Sequence, residues 1–482
     1  MNKIFTTIIL LMLTSTLSAK TIYVSPGGND NNRGTITSPI ATLPHAQSLV
    51  SAGDTVYFRG GTYSINSYTD IQDNLYACIY DLTQGGSAGK PICYFGYPGE
   101  RPVFDFSGVK PSGYRIAGFY IHANYLYLKN FDVIGIQVTI TTHTQSEGIT
   151  IRRGNSHNVI ENIAVHDGMS IGFCVWKGGD NLFLNCDAYN NYDSVSEGGK
   201  GGNSDGFGCH VRAEDTGNIF RNCRAWCNSD DGYDCISNYA PVVFDHCWAL
   251  YNGYKDFNTL TPGDGNGFKG GGYGLRVLPA EISAPMNTIK NCIAYHNKAN
   301  GFYANHHLNG DHWYNNTSYH NKYNYNMINQ KSWNEAVDVA GYNHFLINNV
   351  SLDGVKGDYT QINQSRCTLT NNSFLPKDYS PSTSDFEDTS NFRQMTASRK
   401  ADGSLPDLTF LKLKTSSRLY TLRMGYQFEY QSQNSNSTTG IAPSVRQHNI
   451  QTNSLYYNLR GIAVNNPSHG LYIHNGKKVL MR

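Results

Sequence analysis

Charge is scarce in this chain: only 16% of its 482 residues are Asp, Glu, Lys or Arg, and the formal balance is +1. A field that weak does not gather a polyanion over a broad surface, which argues against nucleic-acid binding through a basic face. Any anionic ligand must be met locally. Long apolar runs are missing too. After the first nineteen residues nothing approaches the roughly 18 apolar residues of a membrane helix, so no membrane span is expected. Strong helix formers give way to 51 asparagines and 48 glycines, poor helix formers that favour tight turns. With 39% hydrophobic residues and 34 tyrosines, the chain is nevertheless not largely disordered. Many short strands joined by turns are expected.

The N-terminus has the layout of a secretory signal peptide over residues 1–19: Lys3, an apolar stretch from Ile4 to Leu13, then the small residues Ser18 and Ala19, with Leu17 a less usual neighbour. A secreted or cell-surface protein starting near Lys20 is expected, and no cysteine near the cleavage point suggests a lipid anchor. Eleven cysteines in an exported chain first suggest disulfides, but the number is odd. Cys186, Cys223, Cys247 and Cys292 each stand two residues before an Ala in a recurring pattern. A stacked ladder of buried free thiols fits that placement better than bonded pairs.

The pattern belongs to an internal repeat. NVIENIAVHDG from Asn158, NLFLNCDAYNN from Asn181, NIFRNCRAWCN from Asn218, PVVFDHCWALYN from Pro241 and NTIKNCIAYHN from Asn287 align, and NNTSYHN adds a sixth member. Their aligned residues, Asn162, Asn185, Asn222, His246, Asn291 and then Asn315, are spaced by 23, 37, 24, 45 and 24 residues. A period near 23 with insertions is too short for a helix pair and fits one coil of a parallel β-helix, three short strands separated by turns. Equivalent positions of successive coils then stack at about 4.8 Å, and stacked asparagines can exchange amide hydrogen bonds. Weaker members extend the array over roughly residues 60–375. Upstream, Leu43, Ala46 and Leu49 have helical spacing, so a short helix is expected to cap the first coil. GGNDNNRG reads as a turn rather than a metal loop. The chain thus divides into a signal peptide, a β-helix with its caps over 20–430, a polar linker over 431–450 and a small strand-rich tail over 451–482.

A second series, IGF, DGF, DGY, NGF and NGF, follows the first, with glycines 172, 206, 232, 267 and 301. Each Gly lies 10 residues after its ladder residue, or 21 where the coil carries an extra loop, so register returns after every insertion. Asp205 and Asp231 directly precede the Gly in adjacent coils, Asp234 and, one coil on, Lys269 follow it by two residues, and Asp230 completes four carboxylates. Such a group repels itself unless a cation neutralises it, and an all-oxygen donor set favours Ca²⁺ over Zn²⁺. Lys269, in GNGFKGGGYG, would be a base for proton abstraction if a bound cation disfavours its ammonium form. His210 and Arg276 are candidate substrate contacts.

Taken in order, GDTVYFRGGTY, SDGF, NSDDGYD, GNGFK and ASRKADGSLPD resemble the pectate lyases of polysaccharide lyase family 9, over residues 21 to about 415. The resemblance implies a right-handed parallel β-helix, Ca²⁺ held by Asp205, Asp230, Asp231 and Asp234 with the Tyr233 carbonyl assisting, and Lys269 as Brønsted base. The substrate it implies is an acidic plant cell-wall polysaccharide, cleaved by β-elimination by a monomeric enzyme. These lyases commonly carry a Lys two or three residues after SDGF. This chain reads SDGFGCHV, with His210, so rhamnogalacturonan I stands beside polygalacturonate as substrate. The tail from Asn458 is similar to the C-terminal sorting sequences of Bacteroidota proteins exported by the type IX system. Two other readings compete. NSDG and SDDG imitate motifs of polygalacturonase-like hydrolases, though GHG and RIK motifs are absent, and a non-catalytic carbohydrate-binding β-helix would explain the repeat but not the clustered Asp and Lys.

Overall fold

The computed structural model describes residues 19–375 and 379–428, together with the backbone of four short strands nearer the C-terminus. The signal peptide up to Ser18 and the 431–450 linker lie outside the described residues. Two compact units are present, Met1–Thr438 and Thr439–Arg482. The second contains an antiparallel sheet of the strands Tyr456–Asn458, Ala463–Val464, Gly470–His474 and Lys477–Met481.

The first unit is the expected right-handed parallel β-helix. Its three sheets have 12, 10 and 11 strands. All their pairings are parallel except that of Asp70–Gln72 with Tyr76–Leu82. The first sheet runs from Thr21–Val24 to Thr368–Thr370, the second from Gly61–Ser64 to Val350–Leu352 and the third from Asp70–Gln72 to Gly357–Thr360. Inward residues stack in columns along the axis. Phe173, Phe207, Tyr233, Phe268, Phe302 and Tyr325 form one, with neighbouring ring centroids 4.5 to 5.1 Å apart and nearly parallel planes. Offset stacking of this kind adds to the hydrophobic gain of burying each ring. Cys186, Cys223, Cys247 and Cys292 form another, fully buried and unbonded, and all eleven cysteines are free thiols.

The asparagine pattern has two causes, of which the sequence suggested one. Asn162, Asn185, Asn222 and Asn291, with His246 in the same position, all have positive φ near 50° to 57°. They turn the chain between the first two sheets in the left-handed conformation that asparagine tolerates better than most residues. Amide bonds link only some of them, as from Asn162 to Asn130 (2.6 Å) and from Asn222 to Asn185 (3.2 Å). The long amide ladder lies elsewhere. Asn191, Asn228, Asn252, Asn297 and Asn321 are buried, and each donates its side-chain amide to the next at 2.9 to 3.1 Å. Their spare donors go to backbone carbonyls, which satisfies polar groups that would otherwise be costly to bury.

The capping helix spans Leu43–Leu49. Thr42 accepts the His45 amide at its N-terminus and Pro44 starts it, while Leu43 and Ala46 face the first coil and Leu49 stays exposed. Beyond residue 379 the chain turns back along the outside of the second sheet as a strap. That sheet's outward residues Trp226, Trp248, Leu250, Ile293 and Val350 are apolar because Phe386, Met395, Leu408, Phe410, Met424 and Tyr426 of the strap cover them. A buried ion triad fastens it: Asp187 accepts from Arg224 of the adjacent coil at 2.7 Å and from Arg399 of the strap at 2.6 Å. Arg399 also reaches the carbonyls of Cys186 and Asn222, so ASRKADGSLPD is a structural clasp.

Candidate active site

The third sheet positions the carboxylates through a column of seven glycines, 118, 148, 172, 206, 232, 267 and 301. A Cβ on any of the first six would lie 2.6 or 2.7 Å from the carbonyl oxygen of the glycine one coil on. No side chain fits there. At Gly172, Gly206 and Gly232 two successive amides turn toward the same neighbouring coil: Gly206 and Phe207 donate to the carbonyls of Asp231 and Gly232, and Gly232 and Tyr233 to those of Asn266 and Gly267. The two-residue alternation of the strand is broken there, and because neighbouring coils pair one to one the break recurs in register. Asp231 before the break and Asp234 after it therefore share the outward face, although they are three residues apart. Tyr233 between them points inward, its ring stacked between Phe207 and Phe268.

Asp205, Asp231 and Asp234 present ligand oxygens all within 4.8 Å of one another, and all three residues are buried. Each is oriented by a backbone amide. Asp205 Oδ1 accepts the Asp231 N–H (3.1 Å), Asp231 Oδ1 accepts both the backbone N–H (2.6 Å) and the side-chain amide (2.8 Å) of Asn266, and Asp234 Oδ1 accepts the Ile236 N–H (2.6 Å). Lys269 is in register with Asp234 on the next coil. Its Nζ donates to Asp234 Oδ2 at 3.0 Å and lies 2.6 Å from Asp231 Oδ2, an ion pair outside hydrogen-bond geometry that leaves Asp231 Oδ2 without a hydrogen-bond partner. Asp230 stands beside the cluster but outside the 4.8 Å set: its Oδ1 accepts the Asp264 N–H at 2.9 Å.

Burial drives the carboxyls of Asp205, Asp230 and Asp231 upward, and their mutual repulsion adds to it, with Asp230 the strongest charged neighbour of Asp205. Lys269 partly offsets this. Burial alone would lower the Lys269 ammonium, but Asp231, Asp234, Asp230 and Asp205 outweigh it and hold its pKa well above the ordinary lysine value. Four carboxylates thus face one ammonium, and the oxygen donors, their spacing and an Asp231 Oδ2 that makes no hydrogen bond fit a hard divalent cation.

The two candidate substrate contacts fall on the same side. His210 lies on the outer face one coil before Asp234, its ring against Trp176 at 4.6 Å between centroids and its Nδ1 on the Ile236 carbonyl at 2.8 Å. Arg276 is exposed in the loop after Lys269 and donates to Ser237 Oγ at 2.9 Å. Three contributors escaped sequence reasoning. Asn266 was legible, since it precedes Gly267 as Asp205 and Asp231 precede their glycines. Lys298 and Asp264 were not. Lys298 Nζ donates to the carbonyls of Thr261 (2.7 Å) and Gly263 (2.6 Å), fixing the inserted loop whose next amide, that of Asp264, binds Asp230.

Residues 22–349 match the family model described as the Pel9A-like, right-handed β-helix region. Pectate lyase L of Dickeya dadantii (strain 3937) is 33% identical over 415 residues, covering 84% of this chain and 87% of that protein. Among solved structures, a rhamnogalacturonan lyase aligns with TM-score 0.81 and 45% identity over 84% of this chain and 99% of its own. Pectate lyase Pel9A aligns with TM-score 0.66 and 31% identity over 84% of this chain and 92% of its own. The β-helix with its outward cluster of carboxylates and lysine belongs to the Pel9A-like pectate lyase family, and the chain is a polysaccharide lyase.

Proposed function

We propose that this lyase cleaves the backbone of rhamnogalacturonan I by Ca²⁺-dependent β-elimination at a galacturonate unit. The observation that carries the reading is the placement of Lys269 against Asp231 and Asp234 on one outward patch. The choice of backbone is supported by the 45% identity to a protein titled rhamnogalacturonan lyase, against 33% and 31% for the pectate lyases. Asp205, Asp231 and Asp234 would hold the cation, with Asp230 beside them. The Tyr233 ring is committed to the core, so only its carbonyl is left to assist. When bound, Ca²⁺ supplies positive charge that favours the uronate carboxylate as its negative charge grows.

The chain's own residues do the rest. Asn266 and the amides of Asp231 and Ile236 orient the carboxylates, so little reorganisation remains at the moment of reaction. Lys269, held as the ammonium while the four carboxylates are unneutralised, would act as the free amine once their charge is taken up, and would take the C5 proton; the electron pair of that bond forms the C4=C5 double bond, and the bond from C4 to the glycosidic oxygen breaks. The departing oxygen takes a proton from solvent. No water is added across the bond, which separates the reaction from hydrolysis. Following the ultraviolet absorbance of unsaturated uronates with rhamnogalacturonan I and polygalacturonate, with and without a chelator, tests the reading. Faster, chelator-sensitive release from rhamnogalacturonan I is expected; saturated products, or rates indifferent to chelation, would overturn it. The N-terminal leader and the C-terminal tail support export, and the mass of the mature protein from a native host tests that.

A further inference from the structure

The outward face one coil before Asp234 is built without charge. In register with Asp234 stands Gly208, and before it Cys174. A Cβ on Gly208 would lie 2.8 Å from His210 Nε2 and 3.1 Å from Cys174 Sγ, so the imidazole occupies the space that the glycine leaves. Its orientation is fixed twice. The ring packs on Trp176, and Nδ1 sits 2.8 Å from the Ile236 carbonyl, an acceptor only, which requires the proton on Nδ1. With the proton on Nδ1, it is Nε2 that the imidazole form offers as a hydrogen-bond acceptor, about 4.8 Å along the axis from the coil of Asp234.

The cations near this face are committed elsewhere or lie beside it: Arg276, on the same side, donates to Ser237 Oγ, next to the Ile236 whose carbonyl holds the His210 ring. On the strands of this coil and the one before it, the outward residues are Gly208, Cys174, Trp176 and His210. The next cation along the row, Arg152, is held by the buried Glu147 at 2.6 Å and stacks on Trp176. Lys177 turns back toward Gly154 of the preceding coil, and Arg212 lies in the turn beyond the strand. A uronate carboxylate placed against this ring would meet Nε2 acceptor to acceptor, whereas a sugar hydroxyl would find a partner there.

We infer that His210 is a specificity-determining residue: its Nε2 accepts a hydroxyl from a neutral sugar adjoining the reacting uronate, selecting a backbone that alternates uronate with neutral sugar over a continuous polyuronate. This rests on the reading of Lys269 and the carboxylates as the reacting centre. The test is binding without turnover. In the Lys269→Arg background, with Ca²⁺ present, calorimetry compares a rhamnogalacturonan oligosaccharide with an oligogalacturonate of equal length. The background is expected to prefer the first. His210→Lys should move the affinity ratio toward the oligogalacturonate by about tenfold or more, the size of one charge-assisted contact, while His210→Gln, which can present its amide oxygen, should keep the preference. A shift below tenfold in the lysine variant, or an equal shift in both variants, overturns the inference. Binding of neither oligosaccharide by the background overturns the reacting-centre reading and this inference together.

Discussion

Replacing Lys269 by Arg and by Met separates its charge from its basicity. Arginine keeps a cation beside Asp231 and Asp234 but stays protonated at any working pH, so it cannot accept a proton. Methionine keeps most of the volume and neither property. A positioned general base contributes about 10²- to 10⁴-fold, or about 2.7–5.4 kcal/mol of barrier, and both variants should lose that much in kcat. Their stabilities should differ. Methionine leaves Asp231 and Asp234, buried and 2.6 and 3.0 Å from the lost ammonium, without a counter-charge. Breaking a buried pair in this way costs about 3–5 kcal/mol. Two conditions should reduce that loss in the methionine variant: acid, because the carboxyls of Asp205, Asp230 and Asp231 already sit above their ordinary range, and Ca²⁺, which at a hundred times its Kd adds about 2.7 kcal/mol to any state that binds it. Initial rates of double-bond formation and denaturant melts with and without Ca²⁺ measure both quantities. If Lys269→Arg retains activity within about tenfold of the parent, Lys269 is not the base.

Three further outcomes are expected. Asp231→Asn should weaken Ca²⁺ binding by about tenfold or more in calorimetry, and unchanged affinity would remove Asp231 from the ligand set. Lys298→Met should release the carbonyls of Thr261 and Gly263 and, through Asp264, loosen Asp230; the Ca²⁺ concentration for half-maximal rate should rise several-fold, with kcat at saturating Ca²⁺ near the parent value, and a changed kcat with unchanged Ca²⁺ dependence would contradict this. At Asp187 burial pushes the carboxyl up, but Arg224 and Arg399 outweigh it and set it well below the usual range; its contribution is therefore present above the unfolded value of about 3.9 and lost as pH falls through its folded value. Asp187→Ala, which leaves two buried guanidiniums facing each other, should cost about 3–5 kcal/mol and speed tryptic cleavage within 393–418, and unaltered cleavage would show that the triad does not hold the strap.

The solenoid was legible because its period survives in the sequence: each insertion is followed by a glycine at the expected place, so the columns at Asp205, Asp231, Asp234 and Lys269 could be aligned without coordinates. The reason for the glycines was not legible. A strict two-residue alternation puts Asp231 and Asp234 on opposite faces, and only the break in that alternation at Gly232 reconciles them. The turn asparagines were found in the right column and given an incomplete cause, because positive φ leaves the same trace in a sequence as an amide ladder. Nothing periodic marks the strap: Arg399 meets Asp187 across 212 residues, and the apolar outer row Trp226, Leu250 and Leu352 reads like core until the segment that covers it is seen.

In a stack of coils each unit touches only its neighbours, and such arrays tend to fray from their ends. The strap changes that connectivity. Arg399 is tied to the coil of Asp187, and the amide of Gly425 to the Asn348 carbonyl several coils further on, so one continuous segment splints coils that otherwise communicate only through those between them. The splint lies C-terminal to every coil it covers, so it cannot close before those coils have been synthesised. A damaged coil beneath it is expected to be felt along the splinted length, and the carboxylate-bearing coils lie within that span.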